Sequence, residues 1–269
     1  MKRRLLGSVA ALPVLLAGQA MAAPVMNWTG FYIGVNAGGA WSNSKANTSV
    51  DCNSSAGALS LYFCSPGDTS NGSAVEAAGS GTIHASGFTG GLQLGYNWQI
   101  NSWILGVETD FGAFHLRGSR QGDGTFPTSS IVIAGTPFTV NSAVSTDWLY
   151  TLRGRVGATV MPNLLAYATG GLALTRLKVN ESYSDSTIPP GTGSLTAADT
   201  KTGWALGGGL EWALSNAWSV KVEYLHVDFG KVTASGGVFN PLIGGYGQGI
   251  STSADLTAEI ARAGVNFKF

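Results

Sequence analysis

Two acidic residues stand at a spacing that could support acid–base chemistry. Glu108 and Asp110 are separated by one residue, so on a β-strand both carboxylates would lie on one face. Paired carboxylates at such a spacing can act as general acid and base. Arg153 and Arg155 show the same spacing further along the chain. Because no nucleophile with an adjacent base accompanies these four residues, the sequence favours a neutralising charge network over a catalytic site.

The sequence contains no motif for a cofactor or a metal. A Walker loop, zinc-ligand spacing, a nucleophile elbow and a dinucleotide fingerprint are all absent. The glycine run at 207–209 lies within a predicted strand, where it cannot form a phosphate-binding turn. We therefore predict a protein that is not an enzyme and that carries neither cofactor nor metal.

The histidines are the remaining candidates for a ligand site. The chain has 3 of them, His84, His115 and His226, and imidazoles can bind metal or haem iron. All are expected near strand ends that face the cell exterior, but His226 belongs to a strand distant from the other two. A shared site would need loops to fold over, so we favour incidental histidines and keep haemin binding as an alternative.

Charge is scarce and balanced across the chain. Lys and Arg number 15, as do Asp and Glu, and charged residues make up 11% of the 269 positions, whereas a soluble domain carries about 25%. The hydrophobic fraction, 44%, is ordinary. Because the net charge is zero and no basic stripe is present, nucleic acid is excluded as a partner.

The first residues have the three parts of a secretory signal peptide. Basic residues at 2–4 precede an apolar run at 5–17, and small residues follow at 20–22. We predict a signal peptide at 1–22 and one domain at 23–269. No later stretch reaches the 18 or so apolar residues that a membrane-spanning helix needs.

The chain has 2 cysteines, Cys52 and Cys64, in one polar segment. Export to an oxidising compartment would allow them to form a disulfide. Closing a loop of this size would contribute about 3 kcal/mol in the chain-entropy model. Two unpaired thiols are the alternative.

Apolar and polar residues alternate in eight segments after the signal peptide. A period of two is typical of β-strands and not of helices. The fifth segment is so rich in Ala and Gly that its faces stay unassigned. The predicted strands lie at 31–41, 88–98, 103–111, 148–156, 164–174, 204–214, 218–224 and 261–269.

The connections between these strands alternate in length. Short turns are predicted at 101–102, 161–163 and 215–217, and long polar loops at 43–81, 115–147, 176–201 and 230–255. This asymmetry is typical of outer-membrane barrels. We predict an all-β fold, an eight-stranded antiparallel up-and-down transmembrane β-barrel with short periplasmic turns and long extracellular loops. A secreted soluble lipocalin-like carrier, with its apolar faces inward, is the alternative.

In the barrel interpretation the apolar faces point outward into lipid. Leu94, Val107 and Val222 are then lipid-facing, and indole rings are expected at both membrane surfaces. Phe111, Phe114 and Phe229 are expected beside the extracellular belt. The predicted periplasmic belt comprises Trp28, Trp98, Trp103, Trp212 and Trp218, and the extracellular belt Trp41, Trp148 and Trp204.

The polar faces then line the interior. An eight-stranded barrel is only wide enough to be filled by side chains, which explains the 39 glycines. We predict that inward acids and bases pair into a charge network that closes the lumen, with Lys268 as a further inward base. The network comprises Glu108, Asp110, Arg153, Arg155, Glu211, Lys221, Glu223 and Arg262.

Several motifs carry a resemblance to a known family. They read NWTGFYIGVNAGG at 27–39, GFTGGLQLGYNW at 87–98, GVETDF at 106–111, RGRVG at 153–157, YATGG at 167–171, VEY at 222–224 and GVNFKF at 264–269. The mature chain resembles the porin-family, or outer-membrane immunogenic, proteins of rhizobia and brucellae. The resemblance implies an eight-stranded barrel in the Gram-negative outer membrane, in contact with lipid and lipopolysaccharide, that contributes to envelope integrity and host contact.

Two functions of relatives stay open. Some relatives are credited with haemin binding or pore activity, but no motif here carries either function. A narrow porin or a haemin-binding surface receptor is therefore the alternative to a structural role. Loop-borne functions, including contacts with host or surface ligands, do not transfer with the resemblance.

The chain ends on an aromatic residue, Phe269. A terminal aromatic after alternating apolar residues resembles the signal by which the barrel-assembly machinery recognises its clients. An outward-facing last residue is the simpler interpretation, and the two are compatible.

Overall fold

The computed structural model describes residues 26–52, 62–65, 67–129, 132–241 and 245–269. The predicted signal peptide at 1–22 lies outside these residues. Within them the chain forms a closed eight-stranded antiparallel barrel in which consecutive strands pair and the last strand pairs with the first. The strands are β1 (Gly30–Asp51), β2 (Gly81–Ile100), β3 (Trp103–Thr125), β4 (Pro137–Met161), β5 (Leu164–Asp185), β6 (Thr192–Ala213), β7 (Trp218–Asn240) and β8 (Gly245–Lys268).

The predicted fold class is confirmed, and the short turns fall where they were expected. Asn101, in the tight turn between β2 and β3, has φ 57°, a left-handed conformation that asparagine adopts more readily than most residues. Helix α1 (Ser70–Gly79) lies between β1 and β2. No helix within the described ranges has the length and apolar character to cross a bilayer.

The strands are much longer than predicted, and the predicted loop bounds are wrong. Each strand has 20 to 25 residues, about twice the 9–11 that a bilayer requires. Most of the residues predicted as loops at 115–147, 176–201 and 230–255 are strand, and in the loop predicted at 43–81 strand β1 continues to Asp51. They were mistaken for loops because Ser, Thr and Asn dominate them. The same residues suit a strand whose outer face meets water.

The barrel changes polarity along its length. We call the part from the short turns up to Trp41, Phe111, Trp148 and Trp204 the lower half, and the part beyond these residues the upper half. In the lower half large apolar side chains point outward. Leu94, Val107 and Val222 are 49%, 47% and 57% exposed. They face away from the barrel axis, as the outer-membrane interpretation predicts and contrary to the lipocalin alternative.

The upper half has the opposite pattern. Its interior is mainly apolar: Leu116, Val140, Leu177 and Val227 are each at most 1% exposed. The buried Glu181 carboxylate is an exception, and it accepts from the hydroxyls of Thr48, Ser142 and Thr252. Its exterior is polar, with exposed Ser, Thr, Asn and Lys residues. Such a pattern is typical of a barrel surrounded by water. One continuous sheet therefore joins a half with an apolar exterior to a half with a polar exterior.

The faces of β5 are now assigned. Leu165, Tyr167 and Thr169 are buried and point inward, whereas Leu172 is 54% exposed and points outward. The strand therefore follows the alternation of its neighbours, although its alanines and glycines concealed this in the sequence.

A cap covers the upper opening. It consists of Cys52, residues 62–65 and α1, and a disulfide joins Cys52 to Cys64. The Val50 amide of β1 donates to the Glu76 carboxylate of α1 at 2.8 Å, which ties the helix to the barrel. Tyr62 and Phe63 of the cap form a cluster of aromatic rings in mutual contact with Phe126, Phe138 and Tyr183.

A polar contact fixes this cap to the barrel rim. The Tyr62 hydroxyl donates to the Asp185 carboxylate of β5 and accepts from the Asn240 amide of β7 at 3.1 Å. Burial raises the pKa of Tyr62, so the phenol stays a donor. The cap is therefore held on two sides of the opening.

Candidate functional site

The charge network lies inside the lower half because the strand register places opposite charges next to each other. Glu108 of β3 lies opposite Arg153 of β4. Two further such pairs recur between β6 and β7 and between β7 and β8, and cross-strand pairs of opposite charge are favourable. These pairs are Glu211 with Lys221 and Glu223 with Arg262.

Glu108 is the centre of the network. One carboxylate oxygen lies 2.6 Å from an Arg153 nitrogen, and the other accepts from Lys221 Nζ at 2.9 Å. An Arg155 nitrogen lies 3.5 Å from Glu108 Oε2. Three cations from two sides of the lumen therefore share one carboxylate.

Further ion pairs cross the lumen instead of following the sheet. Arg262 of β8 reaches Asp110 of β3 at 3.0 Å, and Arg153 of β4 reaches Glu223 of β7 at 3.2 Å. Arg262 Nη2 also lies 2.6 Å from Glu223. A contact of this kind needs strands from opposite sides of the barrel, so the side chains occupy the space between them.

Ion pairs also cross the lumen at the level of the network nearest the short turns. Arg155 Nη2 lies 2.7 Å from Glu211 Oε2. The other oxygen of Glu211 accepts from Ser219 at 2.6 Å and from Asn266 at 2.7 Å. All eight charged residues of the network are at most 5% exposed. Four acids and four bases therefore form one buried and electrically neutral cluster.

Two tyrosines belong to the cluster and were missed by the sequence analysis. The Tyr32 hydroxyl donates to Glu108 at 2.7 Å and accepts from Arg155 at 2.8 Å. The Tyr167 hydroxyl donates to Glu223 at 2.9 Å, and its ring lies 4.0 Å from the Arg155 guanidinium carbon.

Each tyrosine lies opposite a glycine on the neighbouring strand. Tyr32 pairs with Gly95 and Tyr167 with Gly209. A Cβ at either glycine would collide with the tyrosine ring, so the glycine gives the ring room to lie across the sheet. An inward Tyr facing an inward Gly is the signal that could have identified both residues.

Lys268 and Trp28 do not lie where they were predicted. Lys268 is absent from the charge network, because its ammonium donates to the Asn27 carbonyl at the short-turn end. Trp28 is 5% exposed and packs with Ile104 and Leu165 inside that end. Trp28 points inward like Tyr32, four residues later. The prediction was wrong because it placed Trp28 by its residue type and not by the alternation of the strand.

The same error affects two phenylalanines expected beside the extracellular belt. Phe114 and Phe229 are 0% and 4% exposed and point inward. Seven of the eight tryptophans, all except Trp28, do lie on the outer surface. They are Trp98, Trp103, Trp212 and Trp218 at the short-turn end and Trp41, Trp148 and Trp204 at the other end of the lower half.

The histidines lie on the outer wall and are not brought together. His84 of β2 contacts Asn43 at 2.7 Å, and His226 of β7 contacts Glu259 at 2.7 Å. His115 of β3 pairs with Phe88, four residues or roughly 13 Å along β2 from His84. In the described part of the chain no group of three or more His, Cys, Asp or Glu could hold a metal ion.

A closed eight-stranded sheet with an apolar exterior and a charged interior defines the class of outer-membrane β-barrels. Within this class, the chain belongs to the outer membrane protein β-barrel domain family, whose model matches residues 10–269.

Named relatives agree with this family. The chain is 34% identical over 247 residues to a 31 kDa outer-membrane immunogenic protein of Brucella melitensis, covering 86% of this chain and 88% of the relative. It is 30% identical over 146 residues to a 22 kDa outer membrane protein of Rhizobium leguminosarum, covering 54% of each. The chain is therefore a protein of the Gram-negative outer membrane, and the predicted family and localisation are confirmed.

Solved structures with a similar fold include two outer-membrane proteins. OprG from Pseudomonas aeruginosa matches with a TM-score of 0.48 and 11% identity, covering 91% of this chain and 98% of OprG. Neisserial surface protein A matches with a TM-score of 0.34 and 13% identity, covering 90% and 98% of the two chains.

Proposed function

We propose that the chain is a structural, non-enzymatic outer-membrane protein whose lumen is closed. The observation that carries this proposal is the set of ion pairs that cross the lower lumen, above all Arg262 with Asp110 and Arg153 with Glu223. Opening a path through them would separate buried charges from part of their countercharge without water to replace it, which costs several kcal/mol. A barrel stabilised in this way contributes to envelope integrity rather than to diffusion.

The upper half supports a role at the cell surface. Its strands carry the sheet well beyond the lipid-facing zone, and the aromatic cluster and cap fill its opening. Relatives are named outer-membrane immunogenic proteins, so we infer that this part is also accessible to host or surface ligands. A paired sheet presents a more rigid surface than free loops would.

The partners of the lower half are lipid and the assembly machinery. The two rings of outward tryptophans would lie at the two membrane surfaces, where indoles are favoured. Phe269 is 76% exposed, and its ring lies 5.3 Å from that of Phe267. We infer that this terminal aromatic pair serves as the recognition signal for the barrel-assembly machinery.

The haemin-receptor alternative has no observation in its favour. The three histidines point outward from three different strands, and two of them already contact Asn43 and Glu259. A haem iron would meet at most one imidazole at a time.

The closed lumen predicts that the folded protein forms no stable channel. Single-channel recording of the purified full chain in a planar bilayer should show no reproducible unit conductance. Folding is checked by heat-modifiable migration, because a closed sheet resists detergent until boiled. Reproducible steps would contradict the proposal if Arg153→Met in the lumen changed their size and Lys45→Ser on the outer wall did not.

A further inference from the structure

The outer wall just above the lipid-facing zone is unevenly charged. Three cations point outward from two strands on one side of the barrel: Arg117 on β3, and Arg176 and Lys178 on β5. On the other side, β7 and β8 present three acids, Asp228, Asp255 and Glu259, against one outward cation, Lys231, which lies opposite Asp255. The first side of the wall therefore has a net positive charge and the second a net negative charge.

The cations flank a recess. Arg117 lies opposite Ser145 of β4, and Ser145 lies opposite Lys178 of β5, so the three residues form one row across three strands. Between the two long side chains β4 presents only small ones. The result is a concave site of about 440 Å³ lined by Arg117, Ser119, Ala143, Ser145, Asp147 and Lys178. This volume lies in the range of small-ligand sites.

The height of the recess matches the headgroup region of a membrane. The rings of Phe111 and Trp148, which mark the edge of the apolar zone, lie 6.0 Å apart. Leu174 is the last apolar outward residue of β5, and Lys178 follows four residues later. At about 3.3 Å per residue and a tilt of about 40°, Lys178 lies roughly 10 Å above that edge. The headgroup layer extends about 5–8 Å beyond the hydrocarbon core, which is within reach of the long Lys178 side chain.

We propose that this recess binds a phosphate monoester on the headgroup of a glycolipid in the outer leaflet. The Arg117 guanidinium can donate two parallel hydrogen bonds to phosphate oxygens, and Lys178 supplies a point charge. The Ser145 hydroxyl lies between them as a further donor. The proposal rests on the outer-membrane placement of the proposed function.

One carboxylate lies within the recess. Asp147 Oδ2 is 2.8 Å from Lys178 Nζ, and both side chains are about 40% exposed. Arg117 and Lys178 line the recess with this single acid, and Arg176 of β5 lies near Asp147, so the recess stays positive when the pair forms. Asp147 fixes the direction of the Lys178 side chain and leaves Arg117 and Arg176 to attract the anion. A monoester carries up to two negative charges at neutral pH, and its attraction to this recess exceeds that of a phosphodiester.

The test uses the folded full chain in neutral detergent and two double variants that lose equal charge. Arg117→Ser/Lys178→Ser removes the two cations that flank the recess, whereas Lys45→Ser/Lys231→Ser removes two outward cations on β1 and β7. The probe is the diphosphorylated disaccharide lipid of lipopolysaccharide, and the dissociation constant is measured by microscale thermophoresis. Heat-modifiable migration confirms that all three proteins are folded.

We expect the recess variant to bind this lipid about thirtyfold more weakly, since each basic side chain near a membrane surface contributes about a factor of five. The control variant should change the dissociation constant less than twofold. Removing both phosphates from the lipid should weaken binding to the unaltered chain and abolish the difference between the variants.

Three results would overturn the proposal. Equal weakening in both double variants would indicate general attraction to the whole wall. Equal binding of phosphatidylglycerol in the same detergent micelles would show no preference for a monoester. Competition by inorganic phosphate at the concentration used for the lipid would show that the recess binds a free anion. A protein that conducts in a bilayer yet still distinguishes the two variants would refute only the closed lumen.

Discussion

Glu108→Gln will lower the free energy of unfolding by about 3–5 kcal/mol, the cost of removing one partner from a buried ion pair. Glutamine keeps the shape of the side chain but removes its charge. Arg153 and Lys221, which lie 2.6 and 2.9 Å from this carboxylate, would then share too few acids in a site without water. Urea-induced unfolding in phospholipid vesicles, followed by tryptophan fluorescence, measures the change.

The control for this prediction is an exposed ion pair. Asp199 lies 3.0 Å from Lys201, and the Asp199 side chain is 61% exposed. The variant Asp199→Asn should change the free energy of unfolding by less than about 1 kcal/mol. A loss at Asp199 as large as that at Glu108 would show that charge removal itself, and not burial, is responsible.

The double variant Glu108→Gln/Lys221→Met tests whether the cluster acts as one neutral unit. It removes one acid and one base, so the remaining charges balance again. We expect it to be at least about 1 kcal/mol more stable than Glu108→Gln alone, because residues in one network are not additive. Losses that simply add would contradict a shared network.

Val107→Arg will destabilise the folded protein by about 2–4 kcal/mol in a bilayer, the cost of a basic residue on the lipid face near the midplane. Val107 points outward midway along β3 between Trp103 and Phe111, and it is 47% exposed. The arginine would have to reach either surface from the middle of the hydrocarbon layer. The same unfolding measurement applies.

The matched variant lies on the same strand and the same outer wall. Gln121→Arg places an identical side chain in the upper half, where Gln121 is exposed, and should cost less than about 0.5 kcal/mol. If the two substitutions cost the same, the change of polarity between the halves would not correspond to the membrane surface.

The fold of the lower half was predictable because two signals agree there. The alternation of Phe31, Ile33 and Val35 with Tyr32 and Gly34 assigns a strand and both its faces, and the short turns fix the direction of the chain. Because lipid requires the outward face to be apolar, the alternation of apolar and polar residues predicts both the strands and the lipid around them. The charge network followed from the same alternation.

The upper half was not predictable from composition. Lys45, Asn47 and Ser49 alternate with Ala46 and Thr48, a weak pattern that polar loops also produce by chance. Only pairing with the neighbouring strands makes the segment a strand, and that pairing is non-local. The length of the barrel was therefore underestimated.

Contacts across the lumen could not be predicted from the sequence either. Tyr32 reaches Glu108, and Arg262 reaches Asp110, because the register and tilt of a closed sheet place these residues at one level. Neither quantity can be derived from the alternation along a single strand. The same applies to the row of Arg117, Ser145 and Lys178.

The central claim is that lipid surrounds the lower half and water surrounds the upper half. It is tested most directly by nitroxide spin labels at Val107→Cys and, separately, Gln121→Cys in the protein folded into bilayers. Collision with oxygen, which concentrates in lipid, and with a nickel chelate, which stays in water, reports the surroundings of each label. We expect the label at position 107 to collide mainly with oxygen and the label at position 121 mainly with the nickel chelate. Equal collision of the nickel chelate with both labels would contradict the claim.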